Sequence, residues 1–246
     1  MAALSLRSLM LASLLLGLSS GCSGALDEPD DGTGRRDLLF TFDSGTQDWT
    51  GNFTDLASSQ VNDVGFLVER RALPTETGLP GGALFVSGRN PSDDLFMFIT
   101  TPVTGLLPST PYAVTFELEL VSNGPTGCVG VGGSPGESVF VKAGAAPVQP
   151  DRVLDSRGHY ALNVDKGNQA SEGANAVMVG DIANGSTDCT NPPYRPITRD
   201  NRSRPLRVTS DAQGTLWLFV GTDSGYESTT SLYYDTIRVV LEPAAQ

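Results

Sequence analysis

From residue 37 onward, apolar side chains recur at every second position in short runs, and clusters of Gly, Pro, Asn, Asp and Ser separate the runs. The clearest run is 112–120. There Tyr112, Val114, Phe116, Leu118 and Leu120 alternate with Ala113, Thr115, Glu117 and Glu119. A period of two with one apolar and one polar face predicts a strand covered on one side and wet on the other. Similar runs predict strands at 38–42, 66–69, 83–87, 95–100, 138–142, 160–164, 176–179, 206–209, 215–220 and 232–241. In 215–220 both faces are apolar, which predicts a central strand whose outer side is also covered. The Pro-, Arg- and Asn-rich stretch from Thr187 to Pro205 is the expected cover. No sustained helical period and no internal repeat is visible. The pattern predicts an all-β, two-sheet sandwich of the jelly-roll kind, formed by residues 37–246 as one domain.

The first residues follow a different logic. Arg7 precedes the apolar run Leu9 to Leu18, and small residues then lead to Cys22. Such a run is too short to span a hydrocarbon core of ~30 Å, so residues 1–21 read as a signal peptide. LSSGC resembles the bacterial lipobox, with Ser19 standing where Leu is usual. The resemblance implies that Cys22 is lipidated and anchors the chain to a membrane. No Asp follows Cys22, which points to the outer membrane in a cell with two. Residues 22–36 are small, polar and charged, and predict a flexible tether.

Charge and cysteine content narrow the partners. The net charge is −12, and loss of Arg7 with the leader makes it −13. A field of that sign repels phosphate backbones, so nucleic acid is excluded as the expected partner. With Cys22 lipidated, Cys128 and Cys189 remain as a pair in an oxidising compartment, and a disulfide is expected.

LLFTFDSGTQDWTGNF near the start of the predicted sandwich and SLYYDTIRVVLEP at its end resemble the first and last strands of galactose-binding-like jelly rolls. Many carbohydrate-binding modules have that fold. GCVGVGGSPGESVFVKAGA, NVDKGNQ, VGDIANG and GTDSGYES are similar to segments of an uncharacterised family of bacterial lipoproteins and exported proteins. The likeness implies a fold and export; an activity does not follow from a fold.

Candidate chemistry is sparse. Gly132-Gly133-Ser134-Pro135-Gly136 satisfies G-x-S-x-G, but a nucleophile elbow needs a helix after the serine, and a strand is predicted there. Pro135 also removes an amide from the oxyanion position. The one histidine, His159, precedes any acid in the usual hydrolase order, so no catalytic residue is assigned and the domain is expected not to be an enzyme. Jelly rolls of this kind often hold a structural Ca²⁺, and Asp43 and Asp235, beside the first and last strands, are the expected ligands. A glycan site needs aromatic faces for stacking and side chains that bond hydroxyls. Trp49, Tyr160 and Tyr226, with Asp165, Asn168 and Gln169, are the candidates. Taken together, these features predict a lipid-anchored extracytoplasmic module that binds a glycan. The alternatives are a structural or protein-interaction envelope lipoprotein and a glycan-active hydrolase or lyase.

Overall fold

The computed structural model describes residues 26–27 and 33–244. The leader and Cys22 lie outside the described residues. Sixteen strands account for nearly all the regular structure, with 3₁₀ turns at Ser58–Asp63 and Thr75–Thr77. One sheet contains β1 (Leu26–Asp27), β2 (Arg36–Phe40), β5 (Leu67–Ala72), β6 (Gly82–Arg89), β8 (Pro111–Ser122), β13 (Arg195–Asp200), β14 (Leu206–Thr209) and β16 (Thr229–Pro243). The second runs in the order β12 (Ala176–Asp181), β9 (Val139–Ala146), β15 (Leu216–Ser224), β7 (Leu95–Val103) and β3 (Thr50–Thr54). A small third sheet joins β10 (Arg152–Leu154), β11 (His159–Leu162) and β4 (Leu56–Ala57). The architecture is an all-β sandwich.

Alternation explains which side chains meet between the sheets. Tyr112, Val114, Phe116, Leu118 and Leu120 of β8 are all buried and face Leu95, Met97, Ile99, Leu216, Leu218 and Val220 of the other sheet in one apolar cluster. The long strand β16 lies against β8 along one edge and against β6 and then β2 along the other. A bulge between Tyr234 and Thr236 displaces Asp235 from the ladder. Cys128 and Cys189 are joined, with Cα atoms 5.6 Å apart.

Two expectations need correction. Residues 187–205 are not a plain covering loop, because Arg195–Asp200 forms β13 on the edge of β8. Pro196 and three charged residues suit an edge strand, which is why the segment reads as loop in sequence. The predicted tether is also not wholly detached, since Leu26–Asp27 pairs with β2 and Arg36 already belongs to the sheet. A backbone edge accepts a short partner strand whatever its side chains.

Candidate functional site

Opposed residues in neighbouring antiparallel strands share a face, so the register describes the outer surface of the five-stranded sheet. One row runs Thr54, Phe96, Asp223 and Phe140 across β3, β7, β15 and β9. The next runs Asn52, Phe98, Gly221 and Lys142, and a third runs Thr50, Thr100, Phe219 and Gly144. An aromatic surface of this kind cannot remain wet without cost. The segment following β11 covers it: Leu162 and Val164 pack onto Phe96, Phe98, Phe219 and Ala176 in a second apolar cluster. Two glycines permit the close approach. A methyl group at Gly144 would strike the Phe219 ring and the Asn175 carbonyl, and one at Gly221 would strike Phe96. The cover of β15 is therefore residues 160–175.

The same layer buries charge. Lys142 stands in the middle of an apolar strand, and its Nζ donates to the Lys166 carbonyl at 3.3 Å and to the Ser171 carbonyl. Burial lowers its pKa. The Lys166 ammonium is 2.6 Å from Asp223 Oδ2 and 2.7 Å from Asp55 Oδ2, and it lies 4.9 Å from the centre of the Phe96 ring. Burial works to lower the Lys166 pKa, but Asp223 and then Asp55 outweigh it and hold the ammonium above its ordinary range. Asp223 is fully buried, and its Oδ2 also accepts the Gln169 amide at 2.8 Å. Asp55 occupies the single-residue break between β3 and β4 with φ +69°, a conformation Asp tolerates better than most residues. Its carboxyl pKa is raised by burial, an effect that Lys166 partly offsets. Asp94, just before β7, is pushed up to about 7 by burial and by the neighbouring carboxylates of Asp223 and Asp55.

In front of this cluster lies a cavity of about 510 Å³. Its wall includes Asp55, Asp94 and the run from Ala161 to Asn168. Several polar side chains there are already committed to the fold. Asn163 accepts the Asp151 amide and donates to the Gln149 carbonyl, while Asp165 accepts the amides of Gly167 and Ala174. Those amide bonds hold the Asp165 carboxyl below its ordinary pKa. Asp94 lines the space with its Oδ1 buried, whereas the exposed carboxamide of Asn168 has hydrogen-bonding capacity to spare. A wall of carboxylates and amides suits a ligand rich in hydroxyl groups.

Comparison with known proteins finds only distant likenesses. No protein-family model matches the chain, and no curated protein sequence matches it. Among solved structures, the CBM22-1 xylan-binding domain from Paenibacillus barcinonensis Xyn10C is similar at 13% identity, with 85% of this chain and 95% of that one covered and a TM-score of 0.40. TmCBM61 in complex with β-1,4-galactotriose is 12% identical over 83% of this chain and 94% of that one, TM-score 0.37. The K1 cleaved adhesin domain of Lys-gingipain from Porphyromonas gingivalis W83 is 11% identical over 85% and 99%, also with a TM-score of 0.37. Resemblance at this level says nothing of what the present chain binds.

The site candidates from sequence separate into distinct places. Asp165 and Asn168 line the cavity, Gln169 flanks it, and Tyr160 immediately precedes the lining run. Tyr160 packs against the core with the Arg152 guanidinium 4.4 Å from its ring centre. Tyr226 lies elsewhere, in a smaller cavity of about 220 Å³ beside Cys189 and Pro192. Trp49 is a correction: at 2% exposure it is a core residue, edge-on to Phe40 at 5.2 Å and to Phe42 at 6.4 Å, and has no face for a ligand. Asp43 and Asp235 do share a cavity, with Glu119, and burial followed by these like charges raises Asp235 to about 6. Asp43 already accepts the Gly82 amide at 3.3 Å. Ser134 donates to Glu137 within a turn that leads directly into β9, in a loop that crosses from one sheet to the other.

The residues missed in sequence are Asp55, Asp94, Lys142 and Lys166. One signal was present. The chain has only two lysines, and one of them interrupts the apolar run Val139-Phe140-Val141-Lys142-Ala143. A lysine on a covered strand implies a buried polar partner, since Lys is almost never fully buried alone.

Proposed function

We propose that the chain is an extracytoplasmic, lipid-anchored, non-catalytic module that binds a neutral glycan in the cavity in front of Asp55 and Asp94. The observation that carries this reading is the cavity wall itself. It sets the polar groups of Asp55, Asp94, Asn163, Asp165 and Asn168 beside the apolar Leu162 and Val164, and no aromatic residue lines it. Recognition there rests on hydrogen bonds to hydroxyls rather than on ring stacking. The negative charge of the wall disfavours uronic acids and sulfated sugars. Export and anchoring follow from the leader and Cys22, and the Cys128–Cys189 bond fits an oxidising compartment.

Calorimetry with neutral and uronic-acid oligosaccharides tests the reading directly. Neutral sugars are expected to bind and acidic ones not. Asn168→Ala is expected to weaken binding ~10-fold, the size of one lost hydrogen bond, without changing thermal stability. Absence of binding to any neutral glycan by the folded protein would overturn it. One feature favours a protein-interaction role instead. Val129 and Val131, 98% and 68% exposed, project from the glycine-rich loop beside the disulfide. If glycans fail, an envelope partner lost on Val131→Asp would support that second reading.

A further inference from the structure

Asp55, Asp94 and Asp223 each offer a carboxylate oxygen, and these oxygens lie within 4.8 Å of one another. No other group of three acidic, histidine or cysteine ligands gathers so closely among the described residues. Lys166 occupies one oxygen of Asp223 and one of Asp55. Lys142 is directed to backbone carbonyls instead. Three carboxyl groups and one ammonium meet in a covered corner of the fold.

The second observation is a set of buried oxygens without donors. Asp223 is 0% exposed, yet its Oδ1 meets no hydrogen-bond donor; the same holds for Asp94 Oδ1. Thr54, also 0% exposed and in the same row of the sheet, has an unpartnered hydroxyl. Buried carboxylate oxygens are costly unless something pairs with them. Oxygens that each sit ~2.4 Å from one ion are at most ~4.8 Å apart, so the spacing here is that of a shared coordination sphere.

We propose that Asp55, Asp94 and Asp223 form a divalent-cation site, suited to Ca²⁺, at the inner wall of the cavity. The all-oxygen donor set selects a hard cation over zinc or copper. Donors drawn from a turn, a strand entry and a strand end give irregular geometry, which Ca²⁺ accepts and Mg²⁺ does not. The cavity supplies the entry path, since Asp55 and Asp94 both line it. The site is distinct from the Asp43 and Asp235 pair on the other sheet, and it stands whether or not the cavity takes a glycan.

The test uses the full chain after chelator treatment, titrated with CaCl₂ alone by calorimetry and melted with and without Ca²⁺. Binding of one Ca²⁺ per chain is expected. At ~100-fold excess over Kd the melting temperature should rise by roughly 5 °C. MgCl₂ should give a weaker response. Asp94→Asn and Asp55→Asn should each abolish the heat and the shift, while Asp43→Asn should leave both unchanged. No response of the wild-type protein to Ca²⁺ overturns the proposal, and so does a response to Mg²⁺ alone. It is equally overturned if the Ca²⁺ response survives in both site variants or is lost in Asp43→Asn.

Discussion

Lys166 is the residue on which the buried charges depend. Its ammonium faces Asp223, which has no solvent, and Asp55, which has little. Removing it while leaving both carboxylates is the situation in which breaking a buried pair is most harmful. Lys166→Met is therefore expected to cost ~3–5 kcal/mol in urea denaturation, whereas substitution of the exposed Arg157, paired only with Asp155, should cost little. Asp94 acts in the opposite sense. Its carboxyl, held at about 7 in the folded protein, returns to the ordinary range on unfolding. The folded state consequently binds the extra proton, and stability is lost as pH rises from about 4 through 7. In chelator, Asp94→Asn keeps the neutral form at every pH. It should match the wild type below the lower end of that window and exceed it above the upper end. The gap should be on the order of 1–2 kcal/mol, after allowance for the solvent that reaches the cavity side. Denaturation curves at several pH values would show it; a gap independent of pH would contradict the assignment.

At the scale of elements, period-two alternation was a sufficient guide wherever one face is core and the other is not. Each of the eleven runs read from alternation or from apolar stretches between turn residues overlaps a strand, β8 and β16 most fully. The strands it missed are β1, β3, β4, β10 and β13. They are short, or like β3 (TGNFT) and β13 (RPITRD) they lie at sheet edges where polar residues, Gly and Pro are tolerated. The disulfide was legible from cysteine arithmetic, because assigning Cys22 to the expected lipid leaves one possible pair. It closes a loop with a sequence separation of 61 that spans β9 to β12. On the chain-entropy model such a closure contributes roughly 4 kcal/mol, so Cys128→Ser paired with Cys189→Ser should lower stability by about that amount. Chemical denaturation with and without reductant measures it. Non-reducing peptide maps should recover the linked pair.

For the molecule as a whole, the candidate site was legible only in part. Asp165 and Asn168 could be named by residue type, since loop carboxylates and amides are what hydroxyl groups need. Asp55, Asp94 and Lys166 could not, because their meeting with Asp223 depends on the register of β3, β7 and β15 and on the fold-back of residues 160–175. Residues far apart in sequence carry no mark of that register. The expected placement in the cell rests on the leader and Cys22, which lie outside the described residues. Cys22→Ser is expected to shift the protein from the detergent phase to the aqueous phase on partitioning, and equal partitioning of the two forms would refute lipidation.

The proposed anchor at Cys22 would give the first sheet a mechanical role. Among the described residues the chain enters the sheet as β1, paired with β2, and β2 in turn adheres to β16 along Phe40 to Arg36. Asp37 is clamped there by Arg238 through bonds of 2.9 and 2.8 Å, with Arg35 adding a third contact. The cavity belongs to the opposite sheet. When a ligand fixed outside the cell pulls against a lipid fixed in the membrane, the load crosses the whole core and leaves through that one ladder. Grip on the surface is then limited by how long β2 resists sliding along β16, and Asp37 becomes a residue of adhesion although it touches neither the ligand nor the membrane.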